Sequence, residues 1–230
     1  MGACNNAANL PIEPPPATPF SGAKPVLELS PVHFGFDAAV PLLKLAALQL
    51  PPGVTWLAGG EGRGKTTLLR LLAGTLPLPA SRILRIAGLA VPPGNESHRP
   101  QVAWFDPLTV ACDHQTATQC WEGAAPHFPL WDAALLVQLQ GRLGLQPHLD
   151  KPLYMLSTGS KRKVWLAAAL ASGAAVTLLD MPFAALDKAS ASGVLDLLAD
   201  AADHTSRAWV VADYVAPTGI PLAQTIDLGE

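Results

Sequence analysis

The fold is decided by the stretch Gly59-Gly60-Glu61-Gly62-Arg63-Gly64-Lys65-Thr66. It fits the pattern GxxxxGK[ST], with an apolar run at Val54–Ala58 before it and a helix-like segment at Lys65–Ala73 after it. Glycines let the backbone curl until successive N–H groups point at phosphate oxygens, and the helix N-terminus adds partial positive charge. In such a loop Lys65 reaches the β- and γ-phosphates and Thr66 offers a hydroxyl to Mg²⁺. The sequence therefore predicts a site for nucleotide phosphates.

Outward from this loop, apolar strands alternate with helices. Strand-like runs lie at Val26–Leu29, Val54–Ala58, Arg82–Ile86, Val102–Phe105, Ala175–Leu179, Ala208–Val211 and Ala223–Leu228. Helix-like segments lie at Lys65–Ala73, Trp131–Leu143, Lys161–Ala171 and Ser190–Ala202. This alternation predicts an α/β domain whose central sheet is covered by helices on both faces. The segment 107–172 has helix-like pieces and no convincing strand, which predicts a helical subdomain.

Composition limits the kind of protein and its partners. Charged residues make up 14% of the chain and the mean hydropathy is +0.28, so part of the surface is expected to be covered by a partner. The net charge of -3 argues against a nucleic-acid binder. Residues 1–25 are rich in proline and predict a disordered leader without a signal peptide, followed by one domain at 26–230. The apolar stretch Val164–Leu179 is too short for a membrane span and is interrupted by Ser172-Gly173, so a buried helix and strand are expected there.

Three further motifs follow the loop in order. They are Leu156-Ser157-Thr158-Gly159-Ser160, then Val176-Thr177-Leu178-Leu179-Asp180-Met181-Pro182, and then Ala185-Leu186-Asp187. Together with the loop, they resemble the signature motif, Walker B strand and D-loop of ATP-binding cassettes, the nucleotide-binding modules of ABC transporters. The resemblance covers nearly everything from Val26 to Glu230. It implies the P-loop NTPase fold of an ABC cassette, with a mixed central sheet flanked by helices and a helical subdomain.

The resemblance also implies roles for individual residues. The expected ATP-binding residues are Phe36, Gly59, Gly60, Glu61, Gly62, Arg63, Gly64, Lys65, Thr66 and Thr67, with Phe36 (or its rival Phe34) stacking on adenine. Ser157, Thr158, Gly159 and Ser160 would close over the γ-phosphate bound by a second cassette, although Thr158 replaces a usual glycine and Ser160 a usual glutamine. Thr66, Asp180 and Asp106 are the expected Mg²⁺ ligands, so ATP and Mg²⁺ are the implied cofactors.

Three positions depart from the family pattern on the γ-phosphate side. Met181 stands where the family has a catalytic glutamate, and a thioether cannot take a proton from water. Asp213 stands at the position of the switch histidine, and Asp106 at that of the Q-loop glutamine. The hypothesis is that the chain binds ATP–Mg²⁺ but hydrolyses it slowly by itself, so no catalytic residue is assigned.

The leading functional hypothesis is that the chain is the ATP-binding subunit of a multi-chain ABC transporter. Its expected partners are an integral membrane subunit and a second cassette, identical or different. Its expected location is cytoplasmic and peripheral on the membrane, with Trp121, Phe128 and Trp131 of the helical insertion as a possible docking face. One alternative is a soluble ABC protein acting on ribosomes or DNA, and a third hypothesis is a phosphate-loop kinase outside this family. A binding-only cassette paired with an active one is also open.

Overall fold

A computed structural model describes residues 24–36, 42–78, 82–106 and 108–229. The leader predicted at 1–25 lies outside these residues except for Lys24 and Pro25. The strands are β1 Leu27–Leu29, β2 Val32–Phe34, β3 Leu43–Leu45, β4 Leu48–Leu50, β5 Gly53–Ala58, β6 Leu84–Ile86, β7 Leu89–Ala90, β8 Val102–Trp104, β9 Val176–Asp180, β10 Ala208–Ala212 and β11 Leu222–Asp227. The α-helices are α1 Lys65–Leu72, α2 Ala117–Ala124, α3 Ala133–Arg142, α4 Thr158–Ala171 and α5 Lys188–Ala202. The α/β class predicted from the sequence is confirmed.

Five strands form a parallel sheet in the order β11, β5, β10, β9, β8. In the middle strand, Val211 pairs with Trp56 of β5 and with Leu179 of β9. Nearly all residues of β5, β9 and β10 are buried. Parallel strands covered on both faces read as continuous apolar runs, which is why the sequence predicted these strands. Their carboxyl ends meet at one edge of the sheet, where the phosphate loop begins.

A second sheet is antiparallel and has the order β4, β1, β6, β7, and β2 pairs with β3. Strands of both orientations are therefore present as predicted, but they are divided between separate sheets. The strands β2, β3, β4 and β7 have two or three residues each and were not predicted, although the equally short β1, β6 and β8 were.

The hydrophobic core lies on both faces of the parallel sheet. Alternate residues of β10 point to opposite sides, so Val211 packs with α4 and α5, and Val210 packs with α1 and the antiparallel sheet. The apolar stretch from Val164 to Leu179 divides into the end of α4 and the strand β9, as expected. In the described parts of the chain, no helix has the length and hydropathy to cross a membrane.

The segment from 108 to 172 holds α2, α3 and α4, and α2 was not predicted. Helix α2 begins at a capping box in which Thr116 and Gln119 each bind the other's backbone N–H. Within the described part of this segment, β pairing is limited to one bridge between Thr116 and Pro152. The limits of a helical subdomain at 107–172 stay a prediction.

The prediction that Trp121 and Phe128 form a docking face is wrong. Trp121 is 3% exposed and donates its indole N–H to the Val164 carbonyl at 3.0 Å. Phe128 is 9% exposed, and its ring stacks on that of Trp131. These aromatic side chains fill the core of the helical segment, because burying a large apolar surface stabilises more than exposing it.

Candidate nucleotide-binding site

The phosphate loop lies between β5 and α1, as the sequence predicted. Gly59, Gly62 and Gly64 have φ angles of 146°, 72° and 89°, values that favour glycine. Gly64 is also the residue before α1, and a Cβ atom there would lie 2.7 Å from the Leu43 side chain. The loop therefore needs glycine at this position both for its backbone angle and for its close contact with β3.

Lys65 lies folded against the loop that carries it. It is 7% exposed, and its Nζ donates to the carbonyl of Gly60 at 2.8 Å and to that of Gly59. The ring centroid of Tyr214 lies 4.2 Å from the same nitrogen. Two carbonyl oxygens and one aromatic face thus surround the ammonium group.

A cavity of about 350 Å³ opens above the loop. It is lined by Leu42, Gly60, Glu61, Gly62, Arg63, Gly64, Lys65, Thr66, Thr67, Asp180, Met181 and Tyr214. The structure thus brings together most of the predicted ATP-binding residues, together with Asp180 and Met181. Leu42 and Tyr214 were missed, since neither belongs to a recognised motif.

Thr66 and Asp180 meet at the floor of the cavity. The Thr66 hydroxyl donates to Asp180 Oδ2 at 2.8 Å, although the two residues come from α1 and β9. Burial raises the pKa of the Asp180 carboxyl, and the bond from Thr66 and the charge of Arg162 oppose the shift. A hydroxyl next to a partly buried carboxylate is a donor set that suits a hard divalent cation.

Asp106, the third predicted metal ligand, does not line this cavity. Its Oδ2 accepts from Arg70 at 3.1 Å and its Oδ1 accepts from the Leu108 N–H at 2.9 Å. The guanidinium of Arg70 also lies over the Trp104 ring. Both carboxylate oxygens of Asp106 therefore already accept hydrogen bonds, and the charge of Asp106 adds to the raised pKa of Asp180.

Met181 follows β9 with a φ of 49°, which is unusual for a residue with a side chain. Its N–H donates to the Ala212 carbonyl at 2.8 Å, which ties the end of β9 to that of β10. Arg162 of α4 donates from one Nη to the carbonyls of Asp180 at 3.1 Å and Met181 at 2.6 Å. Arg162 was missed as a site residue, because its contact with the end of β9 joins segments 18 and 19 residues apart and no motif marks it.

Asp213 also lies outside the cavity lining. Its Oδ1 accepts from the Tyr214 N–H at 2.7 Å, and its carbonyl accepts from the Trp56 indole at 3.2 Å. Burial raises the pKa of its carboxyl, and bonds from Tyr214 and charges of Lys65 and Arg162 lower it. The residue that enters the cavity from the end of β10 is Tyr214.

The signature residues are placed apart from the cavity. Ser157 caps α4, accepting from the Ser160 N–H at 3.1 Å and donating to the Ser160 hydroxyl at 3.0 Å. A Cβ atom at Gly159 would lie 2.2 Å from the carbonyl oxygen of Ala185, so α4 begins in close contact with the turn after β9. Ser157, Thr158 and Ser160 line no part of the phosphate cavity of their own chain.

Phe36, the predicted adenine-stacking residue, is 72% exposed and lies outside the cavity lining. Its ring meets that of Phe34 edge to face, with centroids 5.3 Å apart. Both residues predicted as candidates for adenine stacking therefore belong to one aromatic pair at the end of β2.

The chain is similar in sequence to known proteins. A family model described as ABC transporter matches residues 43–184. A cytochrome c biogenesis ATP-binding export protein CcmA of Paramagnetospirillum magneticum is 32% identical over 193 residues, which cover 77% of this chain and 82% of that protein. A manganese transport system ATP-binding protein MntA of Synechocystis is 30% identical over 167 residues, which cover 69% of this chain and 64% of that protein.

The fold is similar to that of a solved structure described as the ATP binding subunit of an ABC transporter. The TM-score is 0.72 at 22% identity, and the match covers 83% of this chain and 80% of that chain. At this level of sequence identity, the likeness supports the assignment of the fold and nothing further.

Proposed function

The chain belongs to the ABC transporter family as an ATP-binding subunit, and we propose that it binds ATP together with Mg²⁺ in the cavity above the phosphate loop. The observation that carries this proposal is the meeting of three groups at one cavity: the glycine loop, the Lys65 ammonium and the Thr66–Asp180 pair. Loop N–H groups and Lys65 neutralise phosphate charge, and the helix N-terminus of α1 adds to the field.

Mg²⁺ would be held by Thr66 and Asp180. The raised pKa of the Asp180 carboxyl reflects a charge that burial disfavours, and a nearby cation relieves that cost. When bound, the metal neutralises charge on the phosphate oxygens. Asp106 joins this pair only if Arg70 releases it, so its role as a ligand stays a separate proposal.

Hydrolysis by the chain alone is proposed to be slow. Met181 lines the cavity next to Asp180, and the family pattern has at this position a glutamate that serves the attacking water. Its thioether accepts hydrogen bonds weakly and takes no proton, and losing one general base costs on the order of 10²- to 10⁴-fold in rate. The carboxylate of Asp213 is bound to backbone N–H and cannot replace that base from outside the cavity.

The test is steady-state ATP turnover by the purified chain and by Met181→Glu. We expect Met181→Glu to raise turnover by about 10-fold or more, because it supplies a proton acceptor beside Asp180. Met181→Gln is the matched control, since the glutamine side chain has the size of glutamate but cannot act as a base. We expect it to leave turnover unchanged. Wild-type turnover of several per second that Met181→Glu leaves unchanged would contradict slow hydrolysis.

The partners are proposed to be a membrane subunit and a second cassette, with the chain peripheral on the membrane. The two curated relatives carry names for manganese transport and for cytochrome c biogenesis export, so the transported substrate differs among relatives of similar identity. Exposed apolar side chains on the helical segment offer a surface for the membrane subunit; they include Leu108, Val110, Leu130, Val137 and Tyr154.

A second candidate function is a binding-only cassette that pairs with an active one. Met181 favours it, because two copies of this chain would each lack the proton acceptor, whereas a partner with a glutamate would supply one complete site. The soluble alternative on ribosomes or DNA is tested by capture from detergent-solubilised membranes. Recovery with a polytopic membrane protein supports transport, and recovery with ribosomes supports the alternative.

A further inference from the structure

Tyr214 covers the ammonium group of Lys65, which is the group that nucleotide phosphates must reach. Its ring centroid lies 4.2 Å from Nζ, and the side chain lines the phosphate cavity. The residue is 51% exposed, so its ring has room to move without disturbing the core. The Lys65 ammonium is held by two loop carbonyls and this aromatic face.

The backbone after β10 fixes which side chain enters the cavity. The Asp213 carbonyl is held by the Trp56 indole, and the Asp213 carboxylate is held by the Tyr214 N–H at 2.7 Å. Asp213 is thereby turned toward its own backbone, and the next side chain along the chain projects over Lys65. This arrangement places a phenol where the end of β10 meets the phosphate site.

The Tyr214 side chain also brings a hydroxyl donor to the side of the cavity formed by the ends of β9 and β10, next to the Lys65 ammonium. Among the lining residues of the described chain, Asp180 ends β9, Met181 comes directly after β9, and Tyr214 comes shortly after β10. A carboxylate accepts only and a thioether accepts weakly, whereas a phenolic hydroxyl donates one hydrogen bond. A phosphate oxygen is a charged acceptor, and hydrogen bonds to charged groups are stronger than neutral ones.

We propose that Tyr214 sets the preference of this site for ATP over ADP, donating its hydroxyl to the γ-phosphate once that phosphate has displaced the ring from Lys65. The inference rests on the proposed function, because it needs nucleotide in this cavity. ADP has no γ-phosphate and leaves the hydroxyl without its acceptor. Tyr214 is thus a specificity-determining residue of nucleotide binding.

The experiment compares the affinities of the full-length chain for ATP–Mg²⁺ and ADP–Mg²⁺ by competition with a fluorescent nucleotide. Tyr214→Phe keeps the ring over Lys65 and removes only the hydroxyl, so we expect ATP binding to weaken by about 10-fold with ADP binding unchanged. Tyr214→Ala should lower the ratio of ADP to ATP dissociation constants to the same extent. The matched control is Tyr154→Phe, since Tyr154 is the chain's other tyrosine and contacts the His114 ring outside the cavity lining.

Each outcome decides the matter. A lowered preference for ATP in both Tyr214 variants, with the control at the wild-type value, supports the inference. An unchanged ratio, or an equal loss of ATP and ADP affinity, overturns it, because Tyr214 would then support only the loop. If the wild-type chain binds neither nucleotide, the proposed function itself fails, and the inference fails with it.

Discussion

Asp180 is a carboxylate whose charged form is disfavoured by burial. Burial raises its pKa above the ordinary 3.8, so the folded chain binds a proton there more tightly than the unfolded chain does. This group therefore lowers the free energy of unfolding progressively as pH rises from 3.8 through the folded pKa. We expect Asp180→Asn to remove that loss, making the variant more stable than wild type at neutral pH, with the difference narrowing as pH falls toward 3.8. Urea unfolding at a series of pH values, without nucleotide or metal, measures it.

The same substitution should weaken binding of ATP–Mg²⁺, because the amide keeps the bond from Thr66 but loses the charge that attracts the metal. Asp196→Asn is the control, since Asp196 is an exposed acid on α5 far from the phosphate loop in sequence. Stability curves of wild type and Asp180→Asn that run parallel across the whole pH range would contradict the assigned cost of burial.

At the residue scale, the sequence predicts the functional residues that belong to a recognisable motif. The phosphate loop and Asp180 could be recognised because their residue types and spacing leave few other roles. Tyr214 and Arg162 could not, because their roles depend on where the chain turns after β10 and on a guanidinium that meets β9 only in three dimensions. For Asp106 the motif position predicted a metal ligand, but in the structure its carboxylate forms a salt bridge with Arg70.

At the element scale, Gly159 lets the start of α4 pack closely against the turn after β9. A Cβ atom at Gly159 would lie 2.2 Å from the Ala185 carbonyl oxygen, and that oxygen belongs to the backbone and cannot rotate away. We expect Gly159→Ala to lower the free energy of unfolding by about 1–3 kcal/mol, as overpacking does elsewhere. Chemical denaturation measures the change.

Gly123→Ala is the matched control for this prediction. Gly123 lies within α2, and a Cβ atom there would meet nothing within 4 Å. The substitution should raise the free energy of unfolding by about 0.5–1 kcal/mol, because alanine loses less backbone entropy than glycine in a helix. Equal effects of the two substitutions would show that helix propensity, and not the contact with Ala185, sets the need for glycine.

Elements were predictable in proportion to their length and periodicity. The strands of the parallel sheet and helices α1, α3, α4 and α5 carry long apolar runs or helical spacing, and their positions follow from the sequence within a few residues. Helix α2 contains Gly123 and little apolar periodicity, and the missed strands β2, β3, β4 and β7 have only two or three residues each. For such elements tertiary contacts decide the structure, and no local pattern reveals it.

At the scale of the whole molecule, the phosphate cavity and the residues predicted to contact a second cassette's nucleotide lie in separate places on one chain. The phosphate cavity and the signature end of α4 lie on the same chain, yet no signature residue lines the cavity. Arg162 connects the two regions, because it belongs to the signature helix and binds the carbonyls of Asp180 and Met181. Movement of α4 against a nucleotide held by another cassette would therefore reach the floor of this chain's own cavity.

Such an arrangement predicts that nucleotide brings two cassettes together. A γ-phosphate bound at Lys65 leaves one side open to solvent, and the Ser157 hydroxyl with the N–H groups at the start of α4 is a matching donor set on a second copy. We expect the chain to sediment as a dimer with ATP–Mg²⁺ and as a monomer with ADP–Mg²⁺, and slow hydrolysis at Met181 should prolong the dimer. Lys65→Ala should stay monomeric, since it loses the ammonium group that reaches the γ-phosphate. A wild-type chain that stays monomeric with ATP–Mg²⁺, both alone and with a partner cassette, would contradict a shared site.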